Sequence, residues 1–379
     1  MLVILTNIPT PYRTAFFNTL SNVLKERDID FHVIYCAKTE PRRFWDFNPN
    51  ENNYNYTFLP GWHPNFKNYY PHFNVGLIKI LTSLKPKYLI IAGSWNAPST
   101  INVLLNKKKI NTKLVFWSEG HHSAQRSNSK FISKIRKIVF SSFNAFVVPN
   151  EKSKVYAKSL NPNALVGFLP NTIDEDFYEP VTNKYEIDLL KKKYNLHHLS
   201  KIFISVATLS ERKGVFDLLQ AYNSLDGLKK KEIGLIFVGT GELLKKMEIF
   251  ISINKLENVY LFGHQEKYVV KDLMIASDIF VLPTRLDPNP LTPLEASFMK
   301  KPLILSKHAG NFSELLVKNK NGFGLNSIDK DSILESLEFF AAKDKEEIIL
   351  MGEYSYQNVK SNFTRLSAAN SLVKFLDTL

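Results

Sequence analysis

Short apolar runs that alternate with helical segments constrain this chain more than any other feature of its sequence. In the first half, strand-like runs at 31–35 and 88–92 are separated by segments whose apolar residues recur at helical spacing, such as 12–24 and 75–84. Neighbouring parallel strands need a long crossover between them, usually a helix. The alternation therefore predicts a doubly wound parallel α/β sheet. The other strands predicted in this half are 2–5, 114–117 and 145–149.

The alternation pauses once and then begins again. Between 167 and 180 the chain has two prolines, Asn171 and an acidic cluster at 174–176, so we place a linker there. A second α/β domain is predicted after it, which gives domains at 1–170 and 171–355. Its predicted strands are 202–207, 234–238, 259–262, 279–282 and 303–305, with helices at 214–225, from 242 and at 293–299.

Composition excludes several classes of protein. The 379 residues are 44% hydrophobic and 22% charged, which is typical of a soluble globular chain of two domains. Cys36 is the only cysteine, which excludes a disulfide framework, a thiolate zinc site and an iron–sulfur cluster. The apolar stretch at 1–5 has no basic residue before it and prolines soon after it, unlike a secretory signal. We therefore expect a cytoplasmic location.

The net charge of +13 is unevenly distributed. Residues 1–170 contain 22 basic and 8 acidic side chains, whereas residues 171–379 contain 27 and 28. This excess of positive charge in the first half predicts an anionic partner for it, namely nucleic acid, an anionic membrane surface or a phosphorylated substrate. The alternative is a solvated surface in a lysine-rich proteome. The patterns alone thus predict a two-domain α/β protein with an anionic ligand.

Six segments also follow one another along the chain in the order that they have in one enzyme family. Together they resemble the retaining glycosyltransferases of glycosyltransferase family 4, whose GT-B fold has two Rossmann-like domains facing across a cleft. The resemblance covers nearly the whole chain, although each segment is weak by itself. The segments are 7–13 (NIPTPYR), 170–174 (PNTID), 207–214 (ATLSERKG), 238–241 (VGTG), 277–284 (SDIFVLPT) and 287–296 (DPNPLTPLEA).

The resemblance implies an activity and a third structural segment. The chain is expected to move a sugar, with retention, from a nucleotide-diphosphate donor to a glycan or lipid-linked acceptor in surface polysaccharide or glycolipid biosynthesis. Residues 356–379 are expected to form a C-terminal helix that crosses back to the first domain.

The resemblance also assigns donor-binding residues. Lys213 would neutralise the diphosphate as the glycosidic bond breaks, since that step places negative charge on the leaving group. The arginine that usually assists it falls on Thr208, and the adjacent Arg212 is the candidate replacement. Asp287 would contact the transferred sugar near its anomeric centre, and Glu295 would accept hydrogen bonds from the ribose hydroxyls.

The start of the predicted helix at 293–299 is the expected phosphate contact. Backbone N–H groups of Leu291 and Thr292 would bind the donor there, although Pro290 replaces a glycine usual in the family and offers no N–H. These groups make a metal unnecessary, so we expect no cofactor and no metal, the nucleotide-sugar being a substrate. The acidic cluster at 174–176 has the spacing of a cation site but is read as a helix cap or turn.

The first domain is expected to bind the acceptor. Glu119 and His121 follow a predicted strand and are candidate catalytic groups that contact donor sugar and acceptor. The alternative for the histidine is a polar loop residue. Tyr12, Arg13 and Trp95 follow other strand ends and are candidate acceptor-binding residues, with a core position as the alternative for Trp95.

The segment 130–140 predicts an amphipathic helix with one apolar and one basic stripe. Such a helix can lie on an anionic membrane, so we expect peripheral attachment to the inner face of a cytoplasmic membrane that carries a lipid-diphosphate-linked acceptor, and no nucleic acid. The alternative is that the apolar stripe packs on the sheet and only the lysines are exposed. The stripes are Phe131, Ile135, Ile138 and Val139 on one side and Lys130, Lys134 and Lys137 on the other.

Two other functions stay open at this point. A nucleotide-sugar epimerase on the same fold would work without an acceptor, and an inactive relative would bind a membrane or an anionic polymer without turnover. The inactive relative stays possible because this sequence differs from the family pattern at Thr208, Asp287 and Pro290. A nicotinamide dehydrogenase is disfavoured, because Leu244 stands where the third glycine of the dinucleotide motif would follow 238–241.

Overall fold

The computed structural model of the chain describes residues 1–41, 48–66, 70–122, 129–317 and 319–379. It divides into two compact units, which are described separately. The first unit comprises Met1–Thr172 together with Phe363–Leu379, and the second comprises Ile173–Asn362.

The elements alternate between strand and helix along most of the chain. In the first unit they are β1 (Leu2–Thr6), α1 (Pro11–Lys25), β2 (Phe31–Tyr35), β3 (Asn55–Phe58), β4 (Gly61–Trp62), β5 (Phe73–Asn74), α2 (Leu77–Leu84), β6 (Tyr88–Ala92), α3 (Pro98–Leu105), α4 (Lys107–Ile110), β7 (Lys113–Trp117), α5 (Lys130–Ser141), β8 (Ala145–Val148), α6 (Glu151–Leu160) and β9 (Leu165–Phe168). In the second they are α7 (Lys184–Lys193), β10 (Lys201–Val206), α8 (Val215–Asn223), α9 (Gly227–Glu232), β11 (Ile233–Val238), α10 (Leu244–Ile253), β12 (Val259–Leu261), α11 (Lys267–Ala276), β13 (Ile279–Leu282), α12 (Thr292–Phe298), β14 (Leu303–Ser306), α13 (Phe312–Leu315), β15 (Gly322–Leu325), α14 (Lys330–Ala341) and α15 (Lys345–Asn362). The last helix, α16 (Arg365–Leu376), returns to the first unit.

The sheet of the first unit has seven strands in the order β3-β2-β1-β6-β7-β8-β9, paired in parallel throughout. Residues of β1 and β6 are buried along their whole length, because helices cover both faces of the sheet. β4 and β5 form a separate antiparallel pair, with Trp62 opposite Phe73.

The helix α16 completes one face of this unit. Its buried residues Ala368, Leu372 and Leu376 join the apolar cluster that contains β1 and the inner side of α1. Threonine 364 caps the helix by accepting a hydrogen bond from the backbone N–H of Ser367. The C-terminal segment is therefore part of the core of the first unit.

The second unit has a six-stranded parallel sheet in the order β12-β11-β10-β13-β14-β15. Tight turns follow its central strands. A Cβ added at Gly214, whose φ is +67°, would lie 2.0 Å from the carbonyl oxygen of Pro283. Gly239, with φ of +138°, makes an equally close approach to Ala207. Glycine is required where backbone passes this close to backbone.

Both sheets reverse their strand order at one internal position. In the first unit this position lies between β1 and β6, and in the second it lies between β10 and β13. Ligands of open α/β sheets bind outside the carboxyl ends of the strands at such a switch point. The loops after these four strands therefore identify where each unit would hold a ligand.

The predicted fold class is confirmed, with parallel sheets and flanking helices in both units. The strands β3, β4, β5, β9 and β15 were not predicted. The observed division falls between Thr172 and Ile173 rather than after 170, and residues 356–362 lie in α15 of the second unit rather than in the returning segment. Among the described residues, no helix is both long and apolar enough to cross a membrane.

Candidate functional site

The predicted donor lysine and the predicted sugar-contacting acid meet at the switch point of the second unit. Lys213 ends a 3₁₀ turn, Glu211–Lys213, that follows β10, and Asp287 lies in the loop after β13. Their side chains form a close ion pair, Nζ to Oδ2, and are only 12% and 14% exposed. A pair that is largely removed from water interacts more strongly than an exposed one.

Backbone hydrogen bonds fix the two segments that carry this pair. The carbonyl oxygen of Arg212 accepts from the backbone N–H of Arg285 at 2.8 Å and from Thr284 Oγ1 at 3.1 Å. In return, Arg212 Nη1 donates to the carbonyl oxygen of Leu286 at 2.7 Å. The guanidinium of Arg212 is thus engaged by the loop, and Lys213 is the cation in contact with Asp287.

A third segment, after β14, also holds Asp287. The carbonyl oxygen of Asp287 accepts from the N–H of Gly310 at 2.7 Å, and Asp287 pairs with Ala309 in an isolated bridge. Its Oδ1 accepts from the N–H of Asn289 at 3.3 Å, as in an Asx turn. The position of this carboxylate is therefore set by backbone on both sides.

The second predicted acid, Glu295, lies in α12 and is hydrogen-bonded to the hydroxyl of Tyr178. Burial raises the pKa of Glu295 to about 7, the hydrogen bond from Tyr178 lowers it, and the nearby Asp174 raises it. Burial and Glu295 together raise the pKa of Tyr178. Tyr178 was not predicted from the sequence, because it lies in the irregular segment after the linker.

Asp287 lies on the loop after β13, and Glu295 lies in the helix that follows, α12. Leu291 precedes α12 and Thr292 is its first residue, so their N–H groups lie at its beginning. The carbonyl oxygen of Pro290 accepts from Asn311 Nδ2 at 2.7 Å. Thr208, in the arginine position of the resemblance, is exposed.

The acidic cluster at 174–176 forms a turn, in which the N–H of Tyr178 donates to the carbonyl oxygen of Asp174 at 2.9 Å. Within the described ranges, no group of three or more histidine, cysteine or acidic side chains is arranged to hold a metal ion.

A cavity of about 290 Å³ lies at the switch point of the first unit. Three predicted residues, Tyr12, Arg13 and Glu119, contribute to its wall. Glu40 also lines it and was not predicted, because it lies in an irregular segment without a local pattern. The remaining lining residues are Thr6, Asn7, Ile8, Thr10, Ala92, Gly93, Ser94 and Trp117.

Arg13 is the central cation of this cavity. Its Nη1 donates to Thr6 Oγ1 at 2.8 Å, and its Nη2 lies 3.8 Å from Glu119 Oε1. Its guanidinium also lies over the ring of Trp117, at 4.9 Å from the ring centroid. These contacts hold the predicted residues Arg13 and Glu119 together at one end of the sheet.

The other two predicted residues of this unit are not among those that line the cavity. His121 is half-buried, and burial, followed by the charges of Lys152 and His122, lowers its pKa. Trp95 packs against the apolar cluster on the other side of the sheet, and the guanidinium of Arg136 lies 5.3 Å from its ring centroid. Trp95 thus packs against the core, which was the alternative to acceptor binding.

Most of the apolar stripe of helix α5 is exposed and does not pack on the sheet, unlike in the alternative considered from the sequence. Phe131 is 72% exposed, and Ile138 and Ile135 are exposed too, whereas Arg136 is only 6% exposed. Of the apolar stripe, Val139 alone is buried. The described surface of α5 therefore presents large apolar side chains next to Lys130, Lys134 and Lys137.

The comparisons with known proteins bear first on the second unit. Residues 186–357 match the family of glycosyl transferases group 1. The matched stretch includes Lys213, Asp287 and Glu295. Membership of family 4 in particular remains a prediction from the resemblance.

Among the curated relatives, the chain is 27% identical over 241 residues to an uncharacterized glycosyltransferase of Methanocaldococcus jannaschii, with 60% of this chain and 57% of the relative covered. It is 30% identical over 194 residues to the UDP-Gal:alpha-D-GlcNAc-diphosphoundecaprenol alpha-1,3-galactosyltransferase of Escherichia coli, with 50% and 48% covered. The chain thus spans about half the length of these relatives.

The fold is shared with structures that have been solved for other proteins. The crystal structure of Anabaena Alr3699/HepE in complex with UDP aligns with 100% of both chains, at a TM-score of 0.76 and 14% identity. The fold is accordingly GT-B.

Proposed function

We propose that this chain is a retaining glycosyltransferase of family 4 that moves a sugar from a nucleotide-diphosphate donor to a glycan or lipid-linked acceptor, in surface polysaccharide or glycolipid biosynthesis. The observation that carries the proposal is the largely buried pair of Lys213 and Asp287 at the switch point of a unit that matches the group 1 family. The same unit contributes Glu295, which lies in α12 and is hydrogen-bonded to Tyr178.

These residues have complementary roles in the proposed reaction. The donor diphosphate takes the place of Asp287 beside Lys213, so that the lysine stabilises the charge that develops as the nucleoside diphosphate departs. Asp287, released from that pair, interacts with the transferred sugar. The acceptor hydroxyl attacks the face from which the diphosphate leaves, and the departing phosphate takes its proton. The cation in this scheme is a side chain, so the proposed reaction is independent of a metal.

Uridine diphosphate is the first nucleotide to test. The Anabaena structure contains UDP, and the name of the Escherichia coli relative includes UDP-Gal. Glu295 accepts hydrogen bonds from the ribose hydroxyls in this proposal, because two carboxylate oxygens suit a vicinal diol.

A thermal-shift panel tests the donor site. The wild type and Glu295→Ala are melted with UDP, GDP, ADP, TDP, CMP and NAD, each with and without magnesium. A ligand at about 100 times its dissociation constant adds roughly 2.7 kcal/mol to the free energy of unfolding, which raises Tm by a few degrees. We expect UDP to raise the Tm of the wild type without magnesium and to leave that of the variant nearly unchanged.

The result that overturns the proposal is equally direct. If none of the nucleotides changes the Tm of the wild type while an anionic polymer such as heparin does, the chain is a binding protein and the transferase proposal fails.

The proposed acceptor is linked to a lipid diphosphate on the inner face of the cytoplasmic membrane, which the chain meets through α5. The name of the Escherichia coli relative includes a diphosphoundecaprenol acceptor. Exposed Phe131, Ile135 and Ile138 beside three lysines have the arrangement of an interfacial helix. Each lysine near an anionic surface contributes about 1 kcal/mol, and the apolar side chains add burial in the headgroup region.

Co-sedimentation with vesicles tests this surface. We expect binding to vesicles of phosphatidylglycerol and phosphatidylcholine, little binding to pure phosphatidylcholine, and a loss of about tenfold or more for Phe131→Ser with Ile138→Ser. Leu228→Ser is the control, since Leu228 is equally exposed beside a run of lysines in the second unit. Binding that ignores anionic lipid, or that falls equally in the control, rules the surface out.

A further inference from the structure

Residues that line the cavity of the first unit carry three buried polar atoms that have no hydrogen-bond partner in the part of the chain that the structure describes. They are Thr10 Oγ1, Arg13 Nε and Trp117 Nε1. A buried polar group without a partner costs about 1–3 kcal/mol, and such groups are rare in folded proteins. Three of them on the wall of one cavity indicate a ligand that supplies the missing partners.

The charges of the cavity decide what kind of ligand this is. Among the described residues, two carboxylates, Glu40 and Glu119, line it together with one cation, Arg13. A phosphate or carboxylate ligand would meet like charge, whereas hydroxyl groups can donate to the carboxylates and accept from arginine and the indole N–H. A neutral molecule with several hydroxyl groups therefore fits this wall better than an anion does.

The two carboxylates differ in how firmly they are held. Glu119 is partly exposed and lies 3.8 Å from Arg13. Glu40 is hydrogen-bonded through Oε1 to His72 Nε2 at 2.9 Å, and His72 is only 4% exposed. The other ring nitrogen of His72 lies 3.0 Å from Nδ1 of His63.

This chain of contacts orients Glu40. With Oε1 engaged by the buried histidine, the carboxylate of Glu40 is restrained at the wall of the cavity. His72 is itself restrained by His63, which fixes the plane of its ring. The arrangement follows the general rule that a precisely placed polar group needs a second group that holds it.

The face of Trp117 is covered by Arg13, at 4.9 Å from the ring centroid. Its ring is therefore not a stacking platform on that side, and its polar group is the buried N–H that has no partner in the described chain. The recognition in this cavity is accordingly by hydrogen bonds to hydroxyl groups.

The acceptor is expected in the first unit; within this cavity we propose that Glu40 binds a hydroxyl group of a neutral acceptor sugar and that His72 and His63 position Glu40. This inference rests on the proposed function for the statement that the sugar belongs to the acceptor. The cavity itself, its unpartnered atoms and the Glu40–His72–His63 contacts do not depend on that function.

Saturation-transfer NMR on the full chain, with methyl glycosides of glucose, galactose, mannose and N-acetylglucosamine, tests the binding directly. We expect at least one glycoside to bind the wild type and Glu40→Gln to weaken it by about tenfold, the value of one hydrogen bond to a charged group. Pyrophosphate, as the anionic probe, is expected not to displace the glycoside. Failure of all four glycosides to bind, or displacement by pyrophosphate, overturns the proposal.

Two variants of His72 distinguish a role in positioning Glu40 from a role in stabilising the fold. In His72→Gln an amide N–H still donates to Glu40, whereas in His72→Phe it is lost. We expect the first variant to retain most of the glycoside affinity and the second to lose about as much as Glu40→Gln. His32→Phe is the control, because His32 is also a half-buried histidine of this unit, hydrogen-bonded to Thr57. Equal loss in His72→Gln and His72→Phe would refute the positioning role.

A parallel measurement separates this proposal from the proposed function. The UDP-induced change in Tm reports the second unit and is expected to be the same in Glu40→Gln as in the wild type. A UDP response without glycoside binding refutes the inference alone, and glycoside binding without any nucleotide response refutes the proposed function alone.

Discussion

The two units have the same topology at their switch points but satisfy their polar groups in opposite ways. In the second unit, Lys213 and Asp287 neutralise each other, and Glu295 is hydrogen-bonded to Tyr178. In the first unit, Arg13 and Trp117 keep buried N–H groups without a partner in the described chain. In the two proposals, a ligand of the second site replaces an internal contact, whereas a ligand of the first site supplies missing hydrogen-bond partners.

This difference has a consequence for binding. Replacing an internal ion pair costs part of the energy that the incoming charge supplies, so the second site discriminates in favour of a strongly charged ligand such as a diphosphate. Supplying partners to unpaired groups gains energy from each correctly placed hydroxyl group, so the first site discriminates by stereochemistry. If both proposals hold, the same fold produces two kinds of selectivity.

The largest effect is expected for Lys213→Ala, which tests the internal ion pair of the second unit. It removes the cation that pairs with Asp287, and we expect kcat to fall about 10²–10³-fold. The measurement is steady-state transfer, or donor hydrolysis without an acceptor. Lys246→Ala is the matched control, because Lys246 is an exposed lysine paired with Glu211 in the same unit. A Lys213→Ala variant with the kcat of the control would remove Lys213 from the reaction.

A second test separates the stability of the two units. Leu372 in α16 is fully buried in the core of the first unit, so Leu372→Ala should lower its free energy of unfolding by about 2–5 kcal/mol. All four tryptophans lie before residue 118, so tryptophan fluorescence during urea unfolding reports the first unit alone. Leu366→Ala, on the exposed side of the same helix, is expected to change little. An unchanged fluorescence transition in Leu372→Ala would contradict this packing.

The third test concerns pH. The pKa of Glu295 is raised to about 7 in the folded chain, above its usual value near 4.5, so the folded state binds more protons between these values. Stability therefore falls as pH rises through that window, by about 1–3 kcal/mol, and UDP affinity rises because the carboxylate form accepts from ribose. Urea unfolding and UDP titration at pH 5, 6, 7 and 8 measure both effects.

Two variants sharpen the assignment to Glu295. Glu295→Gln should flatten both pH dependences. Tyr178→Phe removes the hydrogen bond that lowers the pKa of Glu295, so the midpoint of UDP binding should move to higher pH. A pH dependence that survives in Glu295→Gln belongs to another group.

The smallest expected effect is that of Trp117→Phe. The ring remains under Arg13, but the indole N–H is lost, so acceptor KM should rise about 2–10-fold while donor KM and the UDP-induced change in Tm stay the same. A change in donor KM instead would mean that the two switch points do not act separately.

The sequence predicted the parts of the fold that depend on local pattern. Buried strands such as Tyr88–Ala92 and Ile279–Leu282 are continuous apolar runs and were located within a residue. The strand Asn55–Phe58 was missed because it is a half-exposed edge strand with no such run. The orientation of α5 was open for a different reason: periodicity shows that a helix has two faces but not which of them meets the core, and here Arg136 is inside.

The candidate sites show the same limit. Lys213, Asp287 and Glu295 lie in segments that resemble a family, so their residue types and spacing could be read. The contact between Tyr178 and Glu295 joins residues that are distant in the sequence. The contacts of His72 with Glu40 and His63 likewise join residues from irregular segments. Such contacts depend on the folded chain and leave no signal in spacing or periodicity.

The return of α16 to the first unit has a consequence for how the protein is made. Residues 363–379 leave the ribosome only after the whole second unit has been synthesised, and until then the cluster that includes Phe17 and Leu20 lacks Ala368, Leu372 and Leu376. Units generally fold as they emerge from the ribosome, N-terminal part first. Here the first unit to emerge is the last whose core can close, so its apolar surface stays accessible to chaperones during translation of the second.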